Sequence, residues 1–226
     1  YPATLAIPDM DATQIFRSYV RFIGVGAIAT AGIFGIIKSL RIVAGSFKIA
    51  AHAFKHGEAA GQERTDKDLS TMTILIGVLA TTLGAGFFFG SLGTSLTVAL
   101  VGLALAVLFS FFFASVAANA IATTARNPVS GMTMLTIIVS SIVLLNFGLS
   151  GTTGMFFVMA IAGMVCTALS VSGQAVTDLK AGYWLGSTPA VQQRVKLWGI
   201  VASAVAGALT IMVLAKAFQF GEAAVG

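Results

Sequence analysis

The chain has 226 residues, of which 57% are hydrophobic and only 9% are charged. Soluble domains carry about one charged residue in four, so this composition excludes a water-soluble globular domain and predicts a polytopic helical membrane protein. A length that allows about 20 residues per crossing predicts about six spans. The net charge of +5 is expected in cytoplasmic loops rather than on a nucleic-acid-binding face.

The first predicted element is a polar lead-in over residues 1–18, in which Thr13 is a candidate helix cap. A membrane span follows over residues 19–37. Ala27, Ala31 and Gly35 recur at every fourth position of this span. This spacing predicts a face of small residues that packs closely against another helix.

Residues 38–68 are predicted to form an amphipathic and polar cytoplasmic loop, because basic residues accumulate there. They are Lys38, Arg41, Lys48, Lys55, Arg64 and Lys67. His52 and His56 lie four positions apart, but no cysteine or further histidine joins them. A solvated helix face explains this pair better than zinc, so neither a metal site nor a cofactor is predicted.

The remaining apolar segments predict spans over residues 71–89, 94–122, 133–149, 155–171 and 197–215, with glycine turns at 90–93 and 151–154. The pairs Gly86/Gly90 and Gly199/Ser203/Gly207 have the small-xxx-small spacing that favours helix contacts. Cys166 lies in an apolar stretch without a second cysteine and is expected to serve packing. Residues 172–196 are predicted to form a second cytoplasmic loop, and residues 1–226 a single membrane domain.

The segment from Arg126 to Thr133 interrupts this apolar pattern. Arg126 is the only charged residue between Leu69 and Thr177, and Pro128 followed by Gly131 must break or kink a helix. Two interpretations stay open. The segment is either an unwound stretch that lines a polar cavity in the membrane, or a tight turn at the cytoplasmic end of two helices.

Three sequences in the chain resemble motifs of the oligopeptide transporter (OPT) family, which includes the yellow-stripe-like transporters of metal chelates. Arg126 to Thr133 (RNPVSGMT) is similar to the family's Asn-Pro-Ile-Ser-Gly-Met-Thr motif, and residues 173–189 (GQAVTDLKAGYWLGSTP) resemble its Asp-Leu-Lys-Thr-Gly-Tyr and Ala-Thr-Pro segment. Residues 21–38 resemble the helix that precedes both motifs. The chain departs from the family pattern at Ala181, where threonine is usual, and at Ala190, where many relatives have arginine.

The resemblance implies a secondary active transporter of oligopeptides or peptide-like metal chelates that is driven by proton co-transport. Members of the family are longer than this chain, so it looks like an internal fragment whose partners are the bilayer, the remaining spans of the same transporter and a small peptide or chelate. The cell (inner) membrane is the expected location. The candidate substrate-pathway residues are Arg126, Asn127, Pro128, Ser130, Gly131, Thr133, Asn146 and Gln174. The candidate residues of the cytoplasmic motif are Asp178, Lys180, Gly182, Tyr183 and Pro189.

The polar residues also permit other readings. Asn and Gln in membrane helices often bond only a neighbouring helix, and Asp178 is expected to form a cytoplasmic salt bridge, with Lys180 as the nearby cation. The alternative function is a non-transporting scaffold subunit of a larger complex. An enzyme is not predicted, because the spans contain no Ser/His or Asp/Asp pair and no His-Glu-x-x-His sequence.

Overall fold

The computed structural model of the chain describes residues 7–34, 37, 45 and 63–218. The described part is helical, with short turns and no strand. The α-helices are α1 (Ala12–Ile15), α2 (residues 21–34), α3 (Thr71–Ser91), α4 (Leu96–Thr124), α5 (Val129–Asn146), α6 (Gly151–Trp184) and α7 (Pro189–Ala217). A π-helical turn, Phe16–Val20, connects α1 to α2, and short 3-10 helices occupy Ile7–Asp9 and Arg64–Asp66.

Helices α3 to α7 are each long and apolar enough to cross a membrane. The prediction of an all-helical polytopic membrane fold is therefore confirmed. The predicted first span, residues 19–37, lies only partly within the described residues, and most of the predicted loop over residues 38–68, including His52 and His56, lies outside them.

Glycines in the left-handed conformation end two of the long helices. Gly148 has φ +80° and Gly186 has φ +68°. In each case the following residue closes the helix end, because the amide of Leu149 donates to the carbonyl of Leu144 at 3.0 Å and that of Ser187 to Gly182 at 2.9 Å. This is the Schellman arrangement, which satisfies helix carbonyls that otherwise have no partner.

The structure corrects two predictions, the residue that caps the first helix and the position of the second glycine turn. Asp11, rather than Thr13, caps the first helix, since its carboxylate accepts from the amide of Thr13 at 3.4 Å. The second glycine turn lies at residues 147–150, and the predicted turn over 151–154 is already the first turn of α6. Gly148 supplies the positive φ that this turn requires.

The predicted second loop over residues 172–196 is mostly helix. Helix α6 continues to Trp184 and α7 begins at Pro189, so only residues 185–188 lie outside helices. Polar residues marked this segment as a loop, but a helix that extends beyond the hydrocarbon layer can carry solvated polar side chains while its backbone stays hydrogen-bonded. The cytoplasmic side of this segment stays a prediction.

The described chain divides into two compact units, and the first comprises residues 1–58 and 71–177. Its core is formed by aromatic and aliphatic side chains of α3, α4, α5 and α6. The Phe89 and Phe157 ring centroids lie 4.8 Å apart, and Phe157 packs directly on Gly102. The second unit comprises residues 59–70 and 178–226.

The predicted small-residue faces agree only partly with the structure. A Cβ on Gly86 would lie 3.3 Å from Leu103 of α4, which confirms a helix contact there. No described residue lies within 4 Å of such a position on Gly90, Gly199 or Gly207, and Ser203 is exposed. The prediction is therefore wrong for these residues within the described part of the chain, because small size permits a close contact without requiring one.

In α2 the small-residue contact lies on a different face from the predicted one. Ala27 and Ala31 are exposed, whereas Gly32 is buried, and Gly35 lies outside the described residues. The spacing of small residues at every fourth position correctly predicted a close helix contact, but the contact is made by a different face of α2. Glycine at position 32 was not part of the predicted series.

Candidate functional site

The break at Arg126 is a short turn between two helices. Helix α4 ends at Thr124, and Ala125 caps it in the left-handed conformation with φ 55°. Helix α5 begins at Val129, directly after Pro128. Only Arg126 to Pro128 of the predicted unwound segment are irregular beyond this cap, because proline disfavours helical geometry at the residue before it. Ser130, Gly131 and Thr133 belong to the beginning of α5.

Asn127 connects this turn to α6. Its side-chain amide Nδ2 donates to the carbonyl oxygen of Leu169 at 3.4 Å. Gly173 lies one helical turn after Leu169, and a Cβ at this position would stand 2.6 Å from Nδ2 of Asn127 and would overlap the side chain of Ile121. Because Gly173 has no side chain, the turn can pack against this face of α6.

Gly131 connects the start of α5 to α2. A Cβ on Gly32 would lie 2.9 Å from the carbonyl oxygen of Gly131, which is closer than real Cβ contacts allow. The two helix backbones meet at this point, an approach that only glycine or similarly small residues permit. The turn therefore adjoins residues from all three of the sequences singled out above.

Helix α6 separates the contact of the turn from the beginning of that helix by about one hydrocarbon thickness. Leu169, to which Asn127 is bonded, is about 27 Å along α6 from its first residue, Gly151, at about 1.5 Å per residue. The hydrocarbon layer is about 30 Å thick. A span that begins at Gly151 would bring this contact close to the opposite boundary, which is the position that the tight-turn interpretation predicts.

The surface of the turn is positively charged and offers hydrogen-bond donors. Arg126, Asn127 and Ser130 are exposed, and among the described residues no carboxylate pairs with Arg126. Pro128 provides no side-chain cap to α5, and the first helical hydrogen bond at this end runs from Met132 to Pro128. The preceding amides at the helix start are therefore available, and a helix N-terminus together with an arginine favours an anion.

Not all predicted pathway residues share this turn. The hydroxyl of Thr133 donates to the carbonyl of Val129 at 2.8 Å, so its own helix uses it. Asn146 is the last residue of α5, about 26 Å from the turn along the helix axis, and its amide donates to Ile142. Gln174 is exposed and follows Gly173, so it points about 100° away around α6. The structure does not bring Asn146 or Gln174 to the Arg126 turn.

The cytoplasmic motif forms a helical hairpin around residues 185–188. Asp178 pairs with Lys196 at 2.6 Å rather than with Lys180, because residues two apart on a helix face different directions. The Lys180 ammonium instead lies over the rings of Tyr183 and Trp184, at 5.2 and 5.6 Å from their centroids.

Two other residues of this motif have clear structural uses. Gly182 is buried, and the Gln192 side chain lies where its Cβ would be. Pro189 is in the first turn of α7, where its missing N–H costs nothing and its fixed φ suits the helix. Both residues shape the hairpin, and neither presents a group that could bind a substrate.

Comparison with known proteins decides the family. A family model described as "OPT oligopeptide transporter protein" matches residues 1–225. The chain belongs to the OPT oligopeptide transporter family. A protein of Haemophilus influenzae, named "Putative oligopeptide transporter", is 27% identical over 234 residues, which cover 94% of this chain and 37% of the relative. No solved structure matches the chain.

Membership of the OPT family makes the chain an integral membrane protein of a transporter family and confirms the resemblance carried by its three motifs. The chain spans 37% of the length of its Haemophilus relative. Sequence reasoning missed Gly32 and Leu169 as contact residues of the Arg126 turn. A backbone carbonyl such as that of Leu169 carries no side-chain signal, and one glycine among several in an apolar helix does not stand out.

Proposed function

We propose that this chain forms part of the membrane domain of a secondary active transporter for oligopeptides or peptide-like metal chelates. Its partners are then the bilayer, the other spans of the same transporter and the substrate, and its location is the cell (inner) membrane. The observation that carries the proposal is the Arg126 turn. In an OPT family chain, the family's Asn-Pro motif contacts α6 at Gly173 through Asn127 and contacts α2 at Gly32 through Gly131.

The chemistry of the turn suits a peptide carboxylate. Arg126 is exposed and has no acidic partner among the described residues, so its guanidinium is free to form a two-pronged hydrogen-bonded pair with a carboxylate. The amides at the start of α5 add a positive electrostatic potential. The side chains of Asn127 and Ser130 can bond peptide amides beside the carboxylate. At the membrane boundary, such a site serves entry or release of the substrate.

Coupling to protons requires a group that titrates. The sequence from Leu69 to Thr177 contains no acidic residue, and the first carboxylate after it, Asp178, is paired with Lys196 and 63% exposed. An exposed ion pair of this kind is typical of a structural contact. We therefore expect the proton-accepting group of the transporter outside residues 69–178.

The test is uptake by the full-length transporter in proteoliposomes. Short peptides of different length and charge, and a metal chelate, are offered with and without an inwardly directed proton gradient. The proposal predicts saturable uptake that the gradient increases, and a protonophore should abolish this increase. If every peptide and chelate entered liposomes with and without the protein equally and without saturation, transport would be refuted and a scaffold favoured.

A further inference from the structure

A short segment before α3 is hydrogen-bonded to the α6–α7 hairpin, more than 100 residues later in the chain. We call residues 64–69 the strap. Arg64 Nη2 donates to the carbonyl of Gly186 at 2.8 Å, and the amide of Ala190 donates to the carbonyl of Lys67 at 3.0 Å. These two bonds attach the strap to the turn at residues 185–188 and to the beginning of α7.

Gln193 holds the other end of the strap with both atoms of its amide. Its Oε1 accepts from the amide of Leu69 at 3.1 Å, and its Nε2 donates to Oδ1 of Asp68 at 3.1 Å. This double contact fixes the orientation of the glutamine. A carboxylate at position 193 would retain only the first of the two bonds and would face the carboxylate of Asp68.

The strap also completes the beginning of α7. Thr188 caps this helix without a side-chain hydrogen bond, and proline occupies its first turn. The buried Ala190 amide would lack a partner, since it lies at a helix start where no carbonyl of the same helix is available. The carbonyl of Lys67 supplies that partner.

The strap is held mainly by hydrogen bonds of residues that are exposed or half-buried, and such contacts can break without unfolding the core. Arg64, Lys67 and Asp68 are exposed, and Thr65 and Leu69 are only half-buried. Apart from the bond of the buried Ala190 amide, the hydrogen bonds of the strap are exposed or half-buried. Each of these contributes little net stability, because water replaces it when it breaks. Segments held mainly by such bonds, without a buried apolar anchor, open at a low free energy compared with the core.

We infer that the strap is a closure that holds the α6–α7 hairpin in one state of the transport cycle and is released in another. The inference rests on the proposed transport function, because a secondary transporter must open and close its pathway to the two sides in turn. The strap is followed in the chain by α3, which begins at Thr71.

Reversible cross-linking tests the closure. Asp68→Cys and Gln193→Cys are combined in the full-length transporter without other cysteines, and the folded, reconstituted protein is treated with a short bifunctional thiosulfonate. The closure predicts loss of peptide uptake on cross-linking and its return on reduction. Treatment with the reagent should leave each single cysteine variant at its own untreated rate of uptake.

The outcomes separate this inference from the proposed function. Full uptake by the cross-linked protein would overturn the closure and leave transport intact. A parent protein that takes up no peptide would overturn the proposed function instead, and a second measurement then decides the closure. Trypsin cleaves after Arg64 and Lys67, and Gln193→Glu should speed this cleavage severalfold, whereas Arg194→Gln should not. Equal cleavage rates in both variants would overturn the closure whether or not transport is observed.

Discussion

Gly32 of α2 lies against the backbone of Gly131 of α5, so that a Cβ on Gly32 would stand 2.9 Å from the Gly131 carbonyl oxygen. The contact is asymmetric. A Cβ on Gly131 would have its nearest neighbour, the carbonyl oxygen of Ile28, at 3.7 Å, which is an ordinary van der Waals distance. Two glycines in one contact therefore have different tolerance for the same substitution.

We predict that Gly32→Ala destabilises the full-length protein by about 1–3 kcal/mol, the usual cost of forcing an extra methyl group into a packed contact. Gly131→Ala is the matched control. It should be neutral or slightly stabilising, since alanine favours a helix over glycine by about 1 kcal/mol. Thermal unfolding in detergent measures both variants. Equal stability of the two would show that the backbones do not meet at Gly32.

The contact of Asn127 with α6 predicts an interaction between two substitutions. Gly173→Ala should destabilise the protein, because the new methyl group would collide with the Asn127 amide and with Ile121. Asn127→Ala should cost about 0.5–1.5 kcal/mol through the loss of the hydrogen bond to Leu169. In the double variant part of the collision is already relieved, so the two costs should not add.

The measurement is the free energy of unfolding of both single variants and of the double variant. Residues that are in contact give non-additive effects, whereas distant residues add within about 0.3–0.5 kcal/mol. Additivity within this range would contradict the placement of Asn127 against Gly173.

The sequence predicts most of the helices, because lipid demands long apolar segments with all backbone groups bonded. It also predicts the break at Pro128, where a missing N–H ends a helix regardless of tertiary structure. It does not predict the end of α6. The polar residues after Ser172 are compatible with both a loop and a solvated helix, and the helix ends instead at Trp184, two residues before the left-handed Gly186.

Contacts between elements were less predictable. The pattern of Ala27 and Ala31 suggested a packing face, but which face of a helix is buried depends on its neighbours, and Gly32 makes the contact. The partner of Asp178 was expected nearby at Lys180 and is Lys196, because helix geometry separates residues two positions apart. The motifs could therefore be recognised from the local sequence, whereas the contacts between them could be found only from the structure.

The ion pair of Asp178 with Lys196 is predicted to be structural. Asp178→Asn should change the free energy of unfolding by less than about 1 kcal/mol, since exposed ion pairs contribute little and are screened by salt. The pH dependence of uptake should stay as in the parent protein. Uptake measured at several external pH values checks this, and loss of stimulation by protons in Asp178→Asn would assign the coupling role to this carboxylate.

The distribution of Lys and Arg predicts the orientation in the membrane. Single cysteines at positions 63 and 194, in a protein without native cysteines such as Cys166, should be protected from an impermeant thiol reagent in intact cells. A cysteine at position 150 should be labelled. Permeabilised cells provide the control for reactivity. Labelling of position 63 or 194 from outside would reverse the predicted orientation.

The proposed role of the Arg126 turn is tested most directly by uptake of peptides that differ at their carboxyl end. Arg126→Ala should raise the KM for a peptide with a free carboxylate by about tenfold or more, because a charge-assisted hydrogen bond contributes about 1.5 kcal/mol or more. The amidated form of the same peptide should be affected much less. Arg194→Ala removes an equal charge from the α6–α7 hairpin and is the matched control.

The decisive measurement is therefore the initial rate of uptake of the two peptides by Arg126→Ala in proteoliposomes, normalised to folded protein. The account predicts a selective loss for the peptide with the free carboxylate and unchanged folding, since Arg126 is exposed and its removal leaves no buried partner. Unchanged kinetics for both peptides, or a reduced yield of folded protein with normal uptake per molecule, would contradict it.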